Sequence, residues 1–282
     1  MLKSVLGSLA QLVAKPQVLV AGILAGIFQL VLALVAWDSG LDLFEQVIVL
    51  GQMPDVGILE LPFAFFQLYF PQLSVLFLVL LVGLIVQFWA SIVLGRFAKN
   101  SIEGKGGIGE ALGFGVSHLG KICWAIIFLM AVSAVFFAAF GIVAGIAGFS
   151  IELSIILALV LMIVLAYLYV RLVFFLPIMG AKDANARDAL LESWEFSKKK
   201  FWTIVIFLVI VSLVAGVFDL AGTILSEQFT GDVVSGIIVA IFAILSSTYS
   251  GLALANYYVM KDSGSPKMYY EPRHASRKRR KL

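Results

Sequence analysis

Cysteine and histidine are nearly absent from this 282-residue chain: Cys123 is the one cysteine, and His118 and His274 are the two histidines. A single thiol closes no disulfide within the chain, and no C-x-x-C or H-E-x-x-H spacing offers a metal site. No metal or other cofactor is therefore expected. Charge is scarce too, at 13% of residues against about 25% in soluble domains. No hydrophilic stretch is long enough for a separate soluble domain. Without a nucleophile–base pair or a metal cluster there is no catalytic constellation, and the chain reads as non-enzymatic.

Hydrophobic residues fill the space that charge leaves: they make up 62% of the chain, and the mean hydropathy is +1.06. A membrane span needs about 20 mostly apolar residues. Six stretches qualify: Gln17–Trp37, Leu73–Phe97, Lys121–Gly148, Ile151–Ile178, Phe201–Leu225 and Val233–Met260. The first is long enough to be a retained anchor rather than a cleaved signal. Pro62 and Pro71 bracket Leu61–Pro71, which reads as an interfacial or re-entrant piece before the second span. Residues 1–260 thus form one membrane domain, followed by a basic tail, 261–282.

Positive charge is missing from every second connection. Lys3 and Lys15 precede the first span, Arg96, Lys99, Lys105 and Lys121 surround the second connection, and Lys182, Arg187, Lys198, Lys199 and Lys200 fill the fourth. Lys261, Lys267, Arg273, Arg277, Lys278, Arg279, Arg280 and Lys281 follow the last span, and Arg171 sits near the same end of the fourth. These are all twenty Lys and Arg. The alternate connections carry Asp38, Asp42, Glu45, Asp55, Glu60, Glu152, Glu227 and Asp232. The positive-inside rule then predicts a multi-pass protein of the cell membrane with both termini cytoplasmic. The outer carboxylates fit no cation-loop signature; avoidance of positive charge explains them.

The two cytoplasmic loops repeat at an offset of 78 residues. Glu110-Ala111-Leu112 aligns with Asp188-Ala189-Leu190, Lys121 with Lys199, and Trp124 with Trp202. Ile108, Leu112, Val116, Leu119 and Cys123 share one helical face, as do Ala186, Leu190, Trp194, Ser197 and Phe201. Met1–Lys15 is a third amphipathic segment placed before a span. The predicted fold is all-α integral membrane, with six transmembrane helices in three hairpins, each preceded by a cytoplasmic amphipathic surface helix.

Arg171–Pro177 (RLVFFLP), Asp183, Ala189-Leu190, Ser193-Trp194, Lys199-Lys200 and Phe201-Trp202 form a pattern. It resembles the six-helix membrane domain of membrane-anchored glycerophosphoryl diester phosphodiesterases, shared with stand-alone bacterial and archaeal membrane proteins. The resemblance implies a membrane domain that accompanies other activities. It does not bring phosphodiesterase chemistry, because the soluble catalytic domain has no counterpart in these residues.

The remaining candidates have plain readings beside functional ones. Gly104-Lys105-Gly106-Gly107-Ile108-Gly109 matches G-x-G-x-x-G, but between two spans it reads as a turn, not a nucleotide site. Arg273, Arg277, Lys278, Arg279, Arg280 and Lys281 form a solvated tail or contact anionic lipid; nothing beside them suggests nucleic acid. Arg171 and Asp219 lie within about two turns of opposite membrane faces and are expected to snorkel there. Ala134, Ala138, Gly141, Gly145 and Gly148, like Gly22 and Gly26, form seams for close helix approach within the bundle, to a homodimer or to a membrane protein partner. Gln29, Gln87, Ser133, Ser212, Ser246 and Ser247 fall near mid-bilayer, as interhelical glue or as a polar layer lining a cavity. The leading reading is a scaffold, assembly or membrane-organising protein; the alternative is a transporter or channel for a small or lipidic solute.

Overall fold

The computed structural model describes residues 1–32, 36, 61–147, 150–198, 200–229 and 232–262. The outer carboxylates from Asp38 to Glu60, Gly148, Lys199 and the tail cations from Lys267 to Lys281 lie outside the described residues. Within them the backbone is helical, without strands. The helices are α1 (Leu2–Ala14), α2 (Pro16–Leu32, opening as a 3-10 turn), α3 (Leu61–Glu103), α4 (Ile108–Ser117), α5 (Leu119–Ala147), α6 (Ile151–Leu172), α7 (Phe175–Lys182), α8 (Ala186–Lys198), α9 (Phe201–Ser226) and α10 (Asp232–Asp262). Five segments are long and apolar enough to cross a membrane: Ser74–Glu103, Leu119–Val143, Ile151–Lys182, Phe201–Ser226 and Val234–Asp262. The pair α1 and α2, bent by 97°, makes a sixth if taken as one.

Two boundaries differ from the sequence expectation, both at prolines. Leu61–Pro71 is not a separate re-entrant piece but the first part of α3, one helix of 43 residues. Pro62 falls in the first turn, where its missing N–H removes no bond. Pro71 interrupts a single bond, and leaving the helix in an apolar setting would strand many more backbone groups. At 1.5 Å per residue α3 is about 64 Å long, roughly twice a bilayer core. The expected fourth span, Ile151–Ile178, falls within the candidate span Ile151–Lys182, but its helix is interrupted: α6 stops at Leu172 and α7 restarts at Phe175. Pro177 lies in the first turn of α7, where a proline is tolerated, and its ring would crowd the Val173 carbonyl of an uninterrupted helix.

Packing repeats around the molecule. The helices α3, α7 and α10 pack on one another at the centre. Outside them α5 packs on α3 and α9 on α6, while a Cβ on Gly22 of α2 would overlap Thr248 of α10. The short helices follow suit, α4 lying on α3, α8 on α7 and α1 on α10. Each buries a pair of small residues four apart: Ala111 and Gly115, Ala189 and Ser193, Ser4 and Ser8. The first two pairs stand at the 78-residue offset. Of the expected faces, Ile108, Leu112, Leu190 and Phe201 pack against the core, while Val116, Leu119 and Trp194 are exposed. Small side chains let backbones approach closely.

The tightest crossing is that of α3 with α7. A Cβ on Gly180 would lie 2.2 Å from the Ile92 carbonyl oxygen, and one on Gly95 would lie 2.8 Å from that of Pro177. Around it Ile92, Val93, Phe174, Phe207, Tyr249 and Tyr257 are fully buried, with Tyr257 stacked on Phe207 at 4.2 Å and on Phe174 at 5.6 Å. All this lies towards the end of the bundle where the described Lys and Arg gather. Away from it α5 and α6 splay, leaving Val135, Phe137, Ile156 and Ile163 exposed. Gly180→Ala is expected to destabilise the protein by about 1–3 kcal/mol by forcing this crossing apart. Gly141→Ala, with nothing near the added methyl, should leave the unfolding temperature in detergent unchanged. Equal effects of the two would refute the crossing.

Candidate functional site: a membrane-depth cavity and the joint beneath it

Where α5 and α6 diverge from the core, a cavity of about 640 Å³ opens among α3, α5, α6, α7 and α10. Phe88, Leu129, Phe136, Phe140, Leu168 and Leu176 supply apolar wall, and Gln87, Ser91, Ser133 and Tyr169 are its polar side chains. Gln87 stands nine residues from Arg96 on α3, about 14 Å from the charged end. A few polar groups on a mostly apolar concavity suit an apolar or amphiphilic molecule.

The expected polar layer divides into three parts. Gln29 Nε2 donates to Gln87 Oε1 at 2.9 Å, joining α2 to α3, and Gln87 shares the cavity with Ser133. Ser246 is buried and donates to Asp219 Oδ2 at 3.1 Å. Ser212 and Ser247 point outward and are exposed. Ser247 bonds the Ile244 carbonyl of its own helix at 3.2 Å, so it needs no inward partner. The six residues therefore line no common ring. Asp219 is exposed and takes its hydrogen bond from the adjacent helix α10.

Of the buried polar residues of α10, Ser246 was singled out in the sequence, and Thr248 and Asn256 were not. Asn256 Nδ2 donates to Ser8 Oγ at 2.8 Å and to Gln11 Oε1 at 3.0 Å, fastening α1 to α10. The run Ser246–Ser250 followed by Asn256, Tyr257 and Tyr258, all within an apolar span, was the available signal: such groups turn inward and seek partners.

Beneath the cavity the patterned residues form a joint. Arg171 is buried at the end of α6 instead of reaching water. Its guanidinium lies over the rings of Tyr167, Trp194 and Phe201, at 4.9, 5.0 and 5.9 Å, and donates to the Tyr167 hydroxyl at 2.6 Å. Such contacts strengthen when desolvated, which favours a planar guanidinium enclosed by rings over one that snorkels. The Arg171 carbonyl, one of the last four of α6 and so without an intrahelical donor, accepts from Ser193 Oγ at 2.8 Å and Ser197 Oγ at 3.2 Å. The break at Pro177 thus creates the acceptor that binds α8.

Two ion clusters close the joint. Lys182 Nζ donates to Glu192 Oε1 at 2.5 Å and Asp262 Oδ1 at 3.0 Å, and Tyr258 donates to the same Glu192 oxygen. Asp183 caps α7 in the left-handed region, φ +57°. Its Oδ1 meets Lys121 Nζ at 2.7 Å and His118 Nε2 at 2.5 Å. The Lys121 hydrogen bond, reinforced by His118, holds the Asp183 carboxyl below its usual range against slight desolvation. Gly104–Gly107 is the expected turn: Gly104 and Gly106 have positive φ, and a Cβ on Gly106 would strike Glu110, whose carboxylate pairs with Arg96 at 3.3 Å. Among the described residues no group of three His, Cys, Asp or Glu could hold a metal.

A carboxyl with a depressed folded pKa stabilises above its unfolded value, about 3.9, and loses that contribution as pH falls through the folded value. Asp183→Asn tolerates the left-handed backbone. It should unfold at a lower temperature than the parent at pH 7, with the gap closing as pH falls below about 4. A gap unchanged down to pH 3 would show that the carboxylate charge does not carry this contact.

No curated protein and no solved structure matches the chain. Residues 142–261, which run from the end of α5 into α10 and include Arg171 to Trp202 but not His118, Lys121 or Asp262, match the family model of the membrane domain of glycerophosphoryl diester phosphodiesterase.

Proposed function

We propose that this chain is a non-enzymatic membrane protein that holds an amphiphilic molecule of the bilayer in the cavity among α3, α5, α6, α7 and α10, and so acts as a membrane-organising domain. The cavity itself carries the reading: it is large enough for an acyl chain, its wall is mostly apolar, and its polar groups stand on α3, α5 and α6. The outward positions of Ser212 and Ser247 leave no continuous polar lining, which weighs against a hydrated channel. The family match supports a membrane domain that accompanies other activities.

In this reading α1, α4 and α8 lie along the cytoplasmic membrane surface, each introducing a transmembrane hairpin. Both termini are cytoplasmic and the membrane is the cell membrane. The described cations at one end of the bundle support that orientation: Lys15, Arg96, Lys121, Arg171 and Lys182 all make their contacts there. In a Cys123→Ser background, Lys105→Cys and Leu190→Cys should resist an impermeant thiol reagent in sealed cells, and Phe229→Cys should react. Outside labelling at 190 would reverse the orientation.

A scaffold role has its own support. Gly141 and Gly145 on α5 have open space where a Cβ would stand, and with Ala134 and Ala138 they form a seam suited to another helix, from a second copy or another membrane protein.

Native mass spectrometry of the protein in mild detergent tests the cavity. The parent should retain a lipid that Ser133→Trp, which fills the cavity, lacks, while the unfolding temperatures stay within a few degrees. Equal lipid counts in parent and variant would end the proposal.

A further inference from the structure

A separate cavity of about 580 Å³ opens between α5 and the start of α8. Its chemistry changes with depth. Lys121, Asn185 and Arg187 stand at the charged end; Trp124, Phe128 and Leu191 continue along the helices. From Lys121 to Phe128 the helix rises about 10 Å, so cations give way to aromatic and aliphatic surface over the distance between a lipid phosphate and the top of its chains.

The site is open to an occupant. Trp124 is 70% exposed and Leu191 58%. Arg187 is exposed and makes no ion pair among the described residues. Lys121 gives two N–H bonds to the side chain and carbonyl of Asp183 and keeps a third. Asp183 is occupied by Lys121 and His118, and Asp188 does not line the groove. Arg187, with its planar array of donors, suits a phosphate oxygen pair. The exposed Trp124 and Phe128, within the span Leu119–Val143, would find no partner in a soluble anion.

We propose that this groove seats an anionic phospholipid, its phosphate against Arg187 and Lys121 and an acyl chain along Trp124, Phe128 and Leu191. A zwitterionic lipid brings its own cation towards Arg187 and binds less well. The proposal stands apart from the larger cavity: the groove shares no lining residue with it and has its own readout.

Trp124 supplies that readout. The full chain is reconstituted into vesicles containing brominated phosphatidylglycerol or brominated phosphatidylcholine. Quenching of Trp124 is taken as the difference between the parent and Trp124→Phe. Trp202, 74% exposed on α9 outside the groove, is read in the same way as a reference, since general enrichment of anionic lipid by the basic tail acts on both tryptophans. Brominated phosphatidylglycerol should be preferred about fivefold at Trp124, the worth of one cation near the surface. Trp202 should lack that excess, and Arg187→Glu, at an exposed and unpaired position, should abolish it. The same preference at both tryptophans, an excess that survives Arg187→Glu, or full competition by inorganic phosphate would each overturn the proposal.

Discussion

The crossing of α3 with α7 through Gly95 and Gly180 decides how close the central helices come. With side chains absent on both sides, the backbone of α7 rests against the Ile92 carbonyl, and α10 fits against the pair. The aromatic stack of Phe174, Phe207 and Tyr257 follows from that proximity. Dispersion contacts fall off steeply with separation, so a modest widening here would loosen a stack contributed by the turn before α7, by α9 and by α10.

The chain turns at Val173 and Phe174 between α6 and α7, and α7, with Pro177 in its first turn, presents Gly180 to Ile92. The break exposes the Arg171 carbonyl, Ser193 and Ser197 satisfy it, and α8 is thereby docked. Its docking brings Trp194 over Arg171 and Glu192 to Lys182. The patterned residues are therefore one connected piece of architecture, which accounts for their falling together within the matched region 142–261.

Tight packing at the charged end and openness beyond it are two results of one arrangement. Short helices bearing small residues pack on the central helices at the charged end, and among the described residues no short helix packs at the other. The cavity lies between α5 and α6 on one side and α3, α7 and α10 on the other, and of its few polar groups Gln87 is held by Gln29 and Ser91 by the Gln87 carbonyl. Asp219 and Ser246, equally polar, have each other and stay out of it.

Legibility in the sequence followed the range of the forces involved. The apolar runs, the twenty cations confined to alternate connections and the 78-residue offset were readable because each residue's preference for lipid, water or one membrane side is local and survives without knowledge of neighbours. The link between Gln29 and Gln87 was within reach too, since rise per residue places both at similar depth. Pro71 was expected to delimit a separate piece and lies inside the continuous α3, whereas Pro177, read as part of one span, lies in the first turn of α7 after α6 has stopped at Leu172. Arg171 was expected to reach water because its own span allowed it, and only Trp194 and Phe201, brought from other helices, gave it a reason to stay buried. Depth, span and sidedness were written residue by residue along the chain. Which face meets which, and so which polar groups are consumed and where a cavity is left, was decided by the fit of side-chain shapes between helices distant in sequence, which no local pattern encodes.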